Sequence, residues 1–227
     1  MRELGARQLA LDLPHAESFR RDDFLPDPSN EAALALVEAW PEWPDSVVAI
    51  VGPAGSGKSH LAAIWAERSG ARILDAASLT IADVPRSLVT GALVVEDLTP
   101  SYVDEQALFH LLNLAREDQA HLLITARKRL DLESYALADV VSRLRVVPAI
   151  ALGQPSDALL AAVLVKHFAD RQLLVDQETI AYLVPRIERS LSAVRSTVAR
   201  LDTAALSLGR RVTRPLVTEI LRENVGR

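Results

Sequence analysis

The residues best placed to do chemistry are Gly52-Pro53-Ala54-Gly55-Ser56-Gly57-Lys58-Ser59. They have the spacing G-x-x-x-x-G-K-[ST], between a continuous apolar run, Val47–Val51, and a stretch of helical spacing, Lys58–Arg68. Strand, loop and helix in that order suit phosphate binding. Glycines permit positive φ and let phosphate oxygens approach the main chain. Successive N–H groups and the N-terminus of the following helix form an anion nest. The Lys58 ammonium can reach the β and γ phosphates of a nucleotide, and the Ser59 hydroxyl can hold Mg²⁺. His60 follows directly and is taken with the loop as a nucleotide-contacting position.

A second candidate is Ala92-Leu93-Val94-Val95-Glu96-Asp97, an apolar run ending in two carboxylates. Beside a phosphate loop, such an end divides two tasks. Glu96 would sit in the Mg²⁺ shell, and Asp97 would orient a water for attack on the γ phosphate. Glutamate stands first, where aspartate is usual. Its extra methylene displaces the metal-facing oxygens, so weak or no ATPase activity of the chain's own is expected. The cofactors implied are ADP or ATP, with Mg.

The elements that must hold these groups can be read from apolar patterning. Val47–Val51, Ala92–Val95 and His121–Thr125 are continuous rather than alternating, which predicts strands buried on both faces. Arg72–Leu74 and Val146–Leu152 are further strand candidates. Lys58–Arg68, Glu105–Glu117 and Leu132–Leu144 have helical spacing between them, so an α/β fold with a parallel five-stranded sheet is expected. Upstream, Asp27-Pro28-Ser29-Asn30 reads as a turn that starts a helix over Glu31–Ala39, and Trp40-Pro41 stops it. After Leu152 the pattern changes. Ser156–Asp170, Asp176–Val184, Ser192–Leu208 and Thr213–Glu223 all read as helices with no strand between them. The organisation expected is a tail over residues 1–18, an α/β core over 19–152 and a small all-helical lid domain over 153–227.

Composition narrows the function. The 227 residues carry 25 basic and 30 acidic side chains, a formal charge of −5, which argues against a nucleic-acid coat. There is no cysteine, so disulfides, a thiol nucleophile and thiolate metal sites are excluded. The five histidines, His15, His60, His110, His121 and His167, form no metal-ligand pair at helical spacing and, apart from the place of His60 beside the loop, read as structural or solvated. No apolar run approaches the ~20 residues that span a bilayer. The N-terminus does not read as a secretory signal. A cytoplasmic protein without membrane contact is expected.

A phosphate loop, an acidic strand end, a polar-tipped strand and a helical lid together resemble an AAA+ ATPase module, which implies a three-layer P-loop core. Thr125, closing Leu122-Leu123-Ile124-Thr125, matches that family's sensor 1 position. Arg143, in Val141-Ser142-Arg143-Leu144, resembles the arginine finger of the bacterial initiator DnaA. Arg195, in Ser192-Ala193-Val194-Arg195, resembles the DnaA sensor 2 arginine on the lid. The stretch from Phe24 to Asn30 and Glu31 resembles the opening of the DnaA ATPase domain, where the adenine is held. Two departures stand out. The chain stops after Thr213–Glu223, so the DNA-binding helix-turn-helix domain of DnaA is expected to be absent. Only residues 75–91 separate the second strand candidate from Ala92, where DnaA has a longer stretch that engages single-stranded DNA. Both departures remove DNA contacts, in keeping with the acidic charge, so no direct DNA binding is expected.

This truncated plan resembles the DnaA-related regulatory inactivators, Hda or HdaA. That family binds the DNA polymerase sliding clamp (the beta subunit) through an N-terminal peptide and stimulates ATP hydrolysis by DnaA. Gln8-Leu9-Ala10-Leu11-Asp12-Leu13 fits the peptide the resemblance implies. In an extended chain Leu9, Leu11 and Leu13 share one face and can enter one apolar groove, while the Gln8 amide can fix register. The alternative for this segment is an edge strand on the chain's own sheet. The partners implied are the clamp and DnaA, and the AAA+ interface also offers a route to self-association. Two rival functions remain at this stage: a helicase loader of the same AAA+ branch, and a P-loop kinase in which Arg195 clamps a phosphate.

Overall fold

The computed structural model describes residues 19–222 except 129 and 131. The expected tail, with Gln8–Leu13, and the chain's last five residues lie outside the described residues.

Five strands form one parallel sheet in the order β2-β3-β4-β1-β5. They are β1 (Val47–Val51), β2 (Arg72–Asp75), β3 (Ala92–Glu96), β4 (His121–Ala126) and β5 (Ala149–Ala151). The three continuous apolar runs are the three central strands, and β1 is buried at every position. Alternate side chains feed opposite faces, as the twofold repeat of a strand dictates. Val47, Ala49, Val51, Leu93 and Val95 face α3 (Val84–Ser87), α4 (Glu105–Glu117) and α5 (Ala138–Arg145). Val48, Ile50, Val94 and Leu123 face α1 (Glu31–Glu38) and α2 (Lys58–Ser69), where Val37, Leu61 and Trp65 are fully buried. Three layers result.

The edge strands are short and largely exposed. The expected strand over Val146–Leu152 shrinks to Ala149–Ala151, because Val146 caps α5 and the Val147 N–H bonds back to the Leu144 carbonyl at 3.2 Å. The helix expected over Leu132–Leu144 is also corrected. A 3-10 turn occupies Leu132–Ser134, and α5 starts only at Ala138. The Glu105 carboxylate explains the break, since it accepts the Ala136 and Leu137 N–H groups at 2.9 and 2.7 Å. Those donors are then unavailable to one continuous helix.

Four helices follow the sheet: α6 (Asp157–Asp170), α7 (Gln177–Leu183), α8 (Leu191–Leu208) and α9 (Arg214–Arg222). They enclose a separate apolar cluster that includes Leu164, Phe168, Leu183, Leu201 and Leu216. Their starts are encoded locally. Ser156, Asp176 and Ser190 each accept the N–H three residues on, at 3.1, 2.6 and 3.1 Å. Each such cap contributes about 1 kcal/mol. Gly209 ends α8 at φ 60°, a conformation that suits a residue without Cβ.

The passage from sheet to helices is tied down. The Leu152 N–H donates to the Val51 carbonyl at 2.7 Å, and the Gly153 N–H to the Ser29 carbonyl at 2.8 Å. Beside them the buried Asp27 carboxylate accepts the Ser29 and Ser156 hydroxyls. Burial pushes the Asp27 carboxyl up, but these hydrogen bonds outweigh it and hold the carboxyl below its ordinary value. No helix among the described residues is long and apolar enough to cross a membrane.

Candidate nucleotide-binding site

The loop after β1 leaves the sheet at its C-terminal end, with the Gly52 N–H on the Ala126 carbonyl at 3.0 Å. Gly55 (φ 69°) and Gly57 (φ 102°) are in the left-handed region, and Gly57 delivers the chain into α2. Lys58, 8% exposed, arches back so that its ammonium donates to the Gly52 and Pro53 carbonyls at 2.8 and 2.9 Å. Burial lowers its pKa. The Asp97 charge opposes that, Arg127 adds to it and Glu96 opposes it. A lysine held in this cradle is pre-positioned over the loop that would hold phosphates.

Between the sheet domain and the helical domain lies a cleft of about 980 Å³. Phe24, Lys58, Ser59 and His60 line it from one side, and His167 and Arg195 from the other. The structure thus brings together most of the cofactor positions expected from the sequence. His60 packs edge-on against Phe24 (5.2 Å) and Phe19 (5.4 Å), and its Nε2 lies 2.9 Å from the Arg20 carbonyl. Burial keeps its pKa below the ordinary histidine value. The N-terminus of α8 closes directly on the loop. The Leu191 N–H donates to the Gly55 carbonyl at 2.8 Å, and a Cβ on Gly55 would stand 2.2 Å from the Ser192 Oγ.

The two carboxylates at the end of β3 are not in the cleft lining and reach it through their charges on Lys58, and they differ in setting. Glu96 Oε1 is buried with no hydrogen-bond partner among the described residues, as is the Ser56 Oγ on the loop. A buried carboxylate oxygen left open, whose charge reaches Lys58, is suited to a cation and the phosphates that come with it. Asp97 is instead fully engaged. It has φ 52°, its N–H donates to the Thr125 Oγ1 at 3.0 Å, and its carboxylate accepts two bonds from Arg127, at 3.1 and 2.9 Å. Thr125 is 2% exposed, so its hydroxyl lies beneath Asp97 rather than in the cleft.

Arg143 lies in the last turn of α5, half-buried and away from the cleft lining. No group of three or more metal-binding side chains occurs among the described residues. Three contributors were missed from the sequence. Arg127 follows β4 and meets Asp97 because β3 and β4 run in parallel register, Val95 opposite Ile124. Lys166 links Asp23 (2.9 Å) to Asp170 (3.0 Å) across the cleft, and only the Lys166–Asp170 spacing of four on one helix signalled part of that. His167, read as structural or solvated, lines the cleft.

Residues 157–221 match the family described as Hda, lid domain. The whole structure is similar to domain III of the Thermotoga maritima replication initiation protein DnaA, with a TM-score of 0.73 at 16% identity, covering 90% of this chain and 96% of that one. It is similar to a replication initiator DnaA solved with AMPPCP and single-stranded DNA (TM-score 0.59, 16% identity), covering 78% of this chain and spanning 62% of that one. The Thermotoga maritima RuvB Holliday junction branch migration motor shares the fold too, with a TM-score of 0.72 at 15% identity, over 90% of this chain and 72% of that one. At these identities the likeness is one of fold: a five-stranded parallel AAA+ core followed by a helical lid.

Proposed function

We propose that this chain is an Hda/DnaA-like AAA+ protein that holds an adenine nucleotide between core and lid and regulates replication initiation by acting on DnaA. The observation that carries this reading is the cleft in which the phosphate loop, the Phe24–His60 pair and Arg195 of the lid converge. The similar DnaA structure bound to AMPPCP supports an adenine nucleotide there.

In this reading residues 19–152 are the core, 153–227 the lid and 1–18 a tail. The backbone N–H groups of Gly52 to Ser59 cradle the phosphates, with Pro53, Ala54 and Ser56 shaping the loop. Lys58 leaves the Gly52 and Pro53 carbonyls to meet the outer phosphates. Ser59 and Glu96 are the residues that would hold Mg²⁺, which when bound neutralises phosphate charge. Phe24 and His60 wall the base. Arg195 approaches from α8, so the occupant of the cleft sets how firmly the lid closes on the core. Thr125 positions Asp97 through its main chain.

Arg143 stands outside the chain's own cleft and so can serve a neighbour's. Supplied in trans to DnaA–ATP, such an arginine is worth ~10³–10⁵ in rate. Gln8 with Leu9, Leu11 and Leu13 would bring the chain to the sliding clamp. The acidic charge fits a protein that reaches DNA through such a partner.

Titration with fluorescent ADP and ATP tests the site. Wild-type protein should bind, Lys58→Ala should lose affinity by at least about 10-fold, and Arg195→Ala should weaken it less. Affinity unaltered in Lys58→Ala would contradict the assignment. For the tail, clamp binding should be lost in the Gln8→Ala, Leu13→Ala double variant, and unchanged binding would sink that part.

A further inference from the structure

We infer that Arg127 is a positioning residue that holds Asp97 out of service as a general base, with nucleotide bound as well as without; this rests on the nucleotide site proposed above. The geometry is specific. Arg127 Nε and Nη2 donate to the two oxygens of one carboxylate, at 3.1 and 2.9 Å. A carboxylate engaged at both oxygens by a guanidinium fork is poorly placed to take a proton from water. The Asp97 main chain cannot relieve this. Its N–H is held by the Thr125 hydroxyl, and the next N–H, of Leu98, by the Thr125 carbonyl at 2.8 Å. Only the two side chains are free to part.

The neighbouring groups leave this role to Arg127. Two of the three Lys58 N–H donors go to loop carbonyls, and no hydrogen bond joins Lys58 to Asp97, so it does not neutralise Asp97 by contact. Glu96, one residue earlier, keeps an open oxygen. One carboxylate is therefore ready for a cation while the other is closed. The side chains are 65% and 43% exposed, so the two-point fork rather than burial keeps the pair closed. The arrangement predicts slow turnover in a chain that carries both carboxylates.

Two measurements test this. In nucleotide-free protein, the Arg127 Nε–Hε resonance, identified by its loss in Arg127→Gln, should be slow to exchange with solvent. It should lose that protection in Asp97→Asn. An unprotected resonance, or no change in Asp97→Asn, overturns the clasp. In single-turnover ATP hydrolysis with Mg²⁺, Arg127→Gln should be about 10-fold faster than wild type, the gain expected from a freed general base. Nucleotide affinity should stay within about twofold. Adding Asp97→Asn should abolish the gain, and Arg127→Lys, with one point of contact, should fall between. A rate equal to or below wild type in Arg127→Gln, with nucleotide bound, overturns the inference alone. If wild-type protein binds no nucleotide, the proposed site fails and the inference with it, and the resonance still reports whether the clasp exists.

Discussion

Glu96 and Asp97 are adjacent in the chain, yet one oxygen of the first is buried and open while both oxygens of the second are taken by Arg127. The open partner was legible in the sequence, because an acidic strand end after a phosphate loop is a local pattern. The closed one was not, because Arg127 meets Asp97 only through the β3–β4 register. His167 shows the same limit: it faces the cleft because of where the lid packs. Its setting gives a pH prediction. Burial is the main cause of its lowered pKa, Arg171, Arg195 and Lys166 add to it, and Asp170 opposes. The unfolded chain takes up a proton near the ordinary value of 6.5 while the folded one does not. Stability should therefore fall as pH drops through about 6.5, then level off once the folded side chain titrates. The midpoint of thermal unfolding should decline between about pH 7.5 and 5.5 in wild type and less steeply in His167→Gln. Equal slopes would remove His167 from the account.

At the scale of elements, the contact that matters is the phosphate loop against the start of α8. The three central strands were readable because burial on both faces forces continuous apolar runs, and the lid helices because their caps lie within three residues. The segment 132–144 was not, since a carboxylate from another helix, Glu105, diverts its donors. Nor did the sequence show α8 bonding to Gly55. Gly55 has no room for a side chain: a Cβ would sit 2.2 Å from the Ser192 Oγ and 2.9 Å from its Cβ, at φ 69°. Rotating the hydroxyl relieves only the first of these. Gly55→Ala should push the lid off the loop, weaken nucleotide binding by about 10-fold and cost about 1 kcal/mol or more from the backbone conformation. Titration and thermal unfolding read both effects. Wild-type affinity in Gly55→Ala would show that loop and lid are not coupled through this contact.

Across the whole molecule, the contacts between core and lid among the described residues include three: the Asp27–Ser156 hydrogen bond at the hinge, the Lys166–Asp23 ion pair over the cleft and the Leu191–Gly55 bond at the loop. A ligand in the cleft touches the second and third, so its presence bears on how the two parts sit together. Arg143 lies outside that cleft, which suits a role toward another molecule. If this chain turns off DnaA–ATP as proposed, hydrolysis by DnaA–ATP in the presence of DNA-loaded clamp shows it most directly. Wild-type protein should accelerate hydrolysis, and acceleration should be lost when the clamp is omitted. Arg143→Ala should bind nucleotide and clamp as wild type does but give no acceleration, a loss on the order of 10³ in rate or more. Full acceleration by Arg143→Ala, or none by wild-type protein with all components present, would contradict the account.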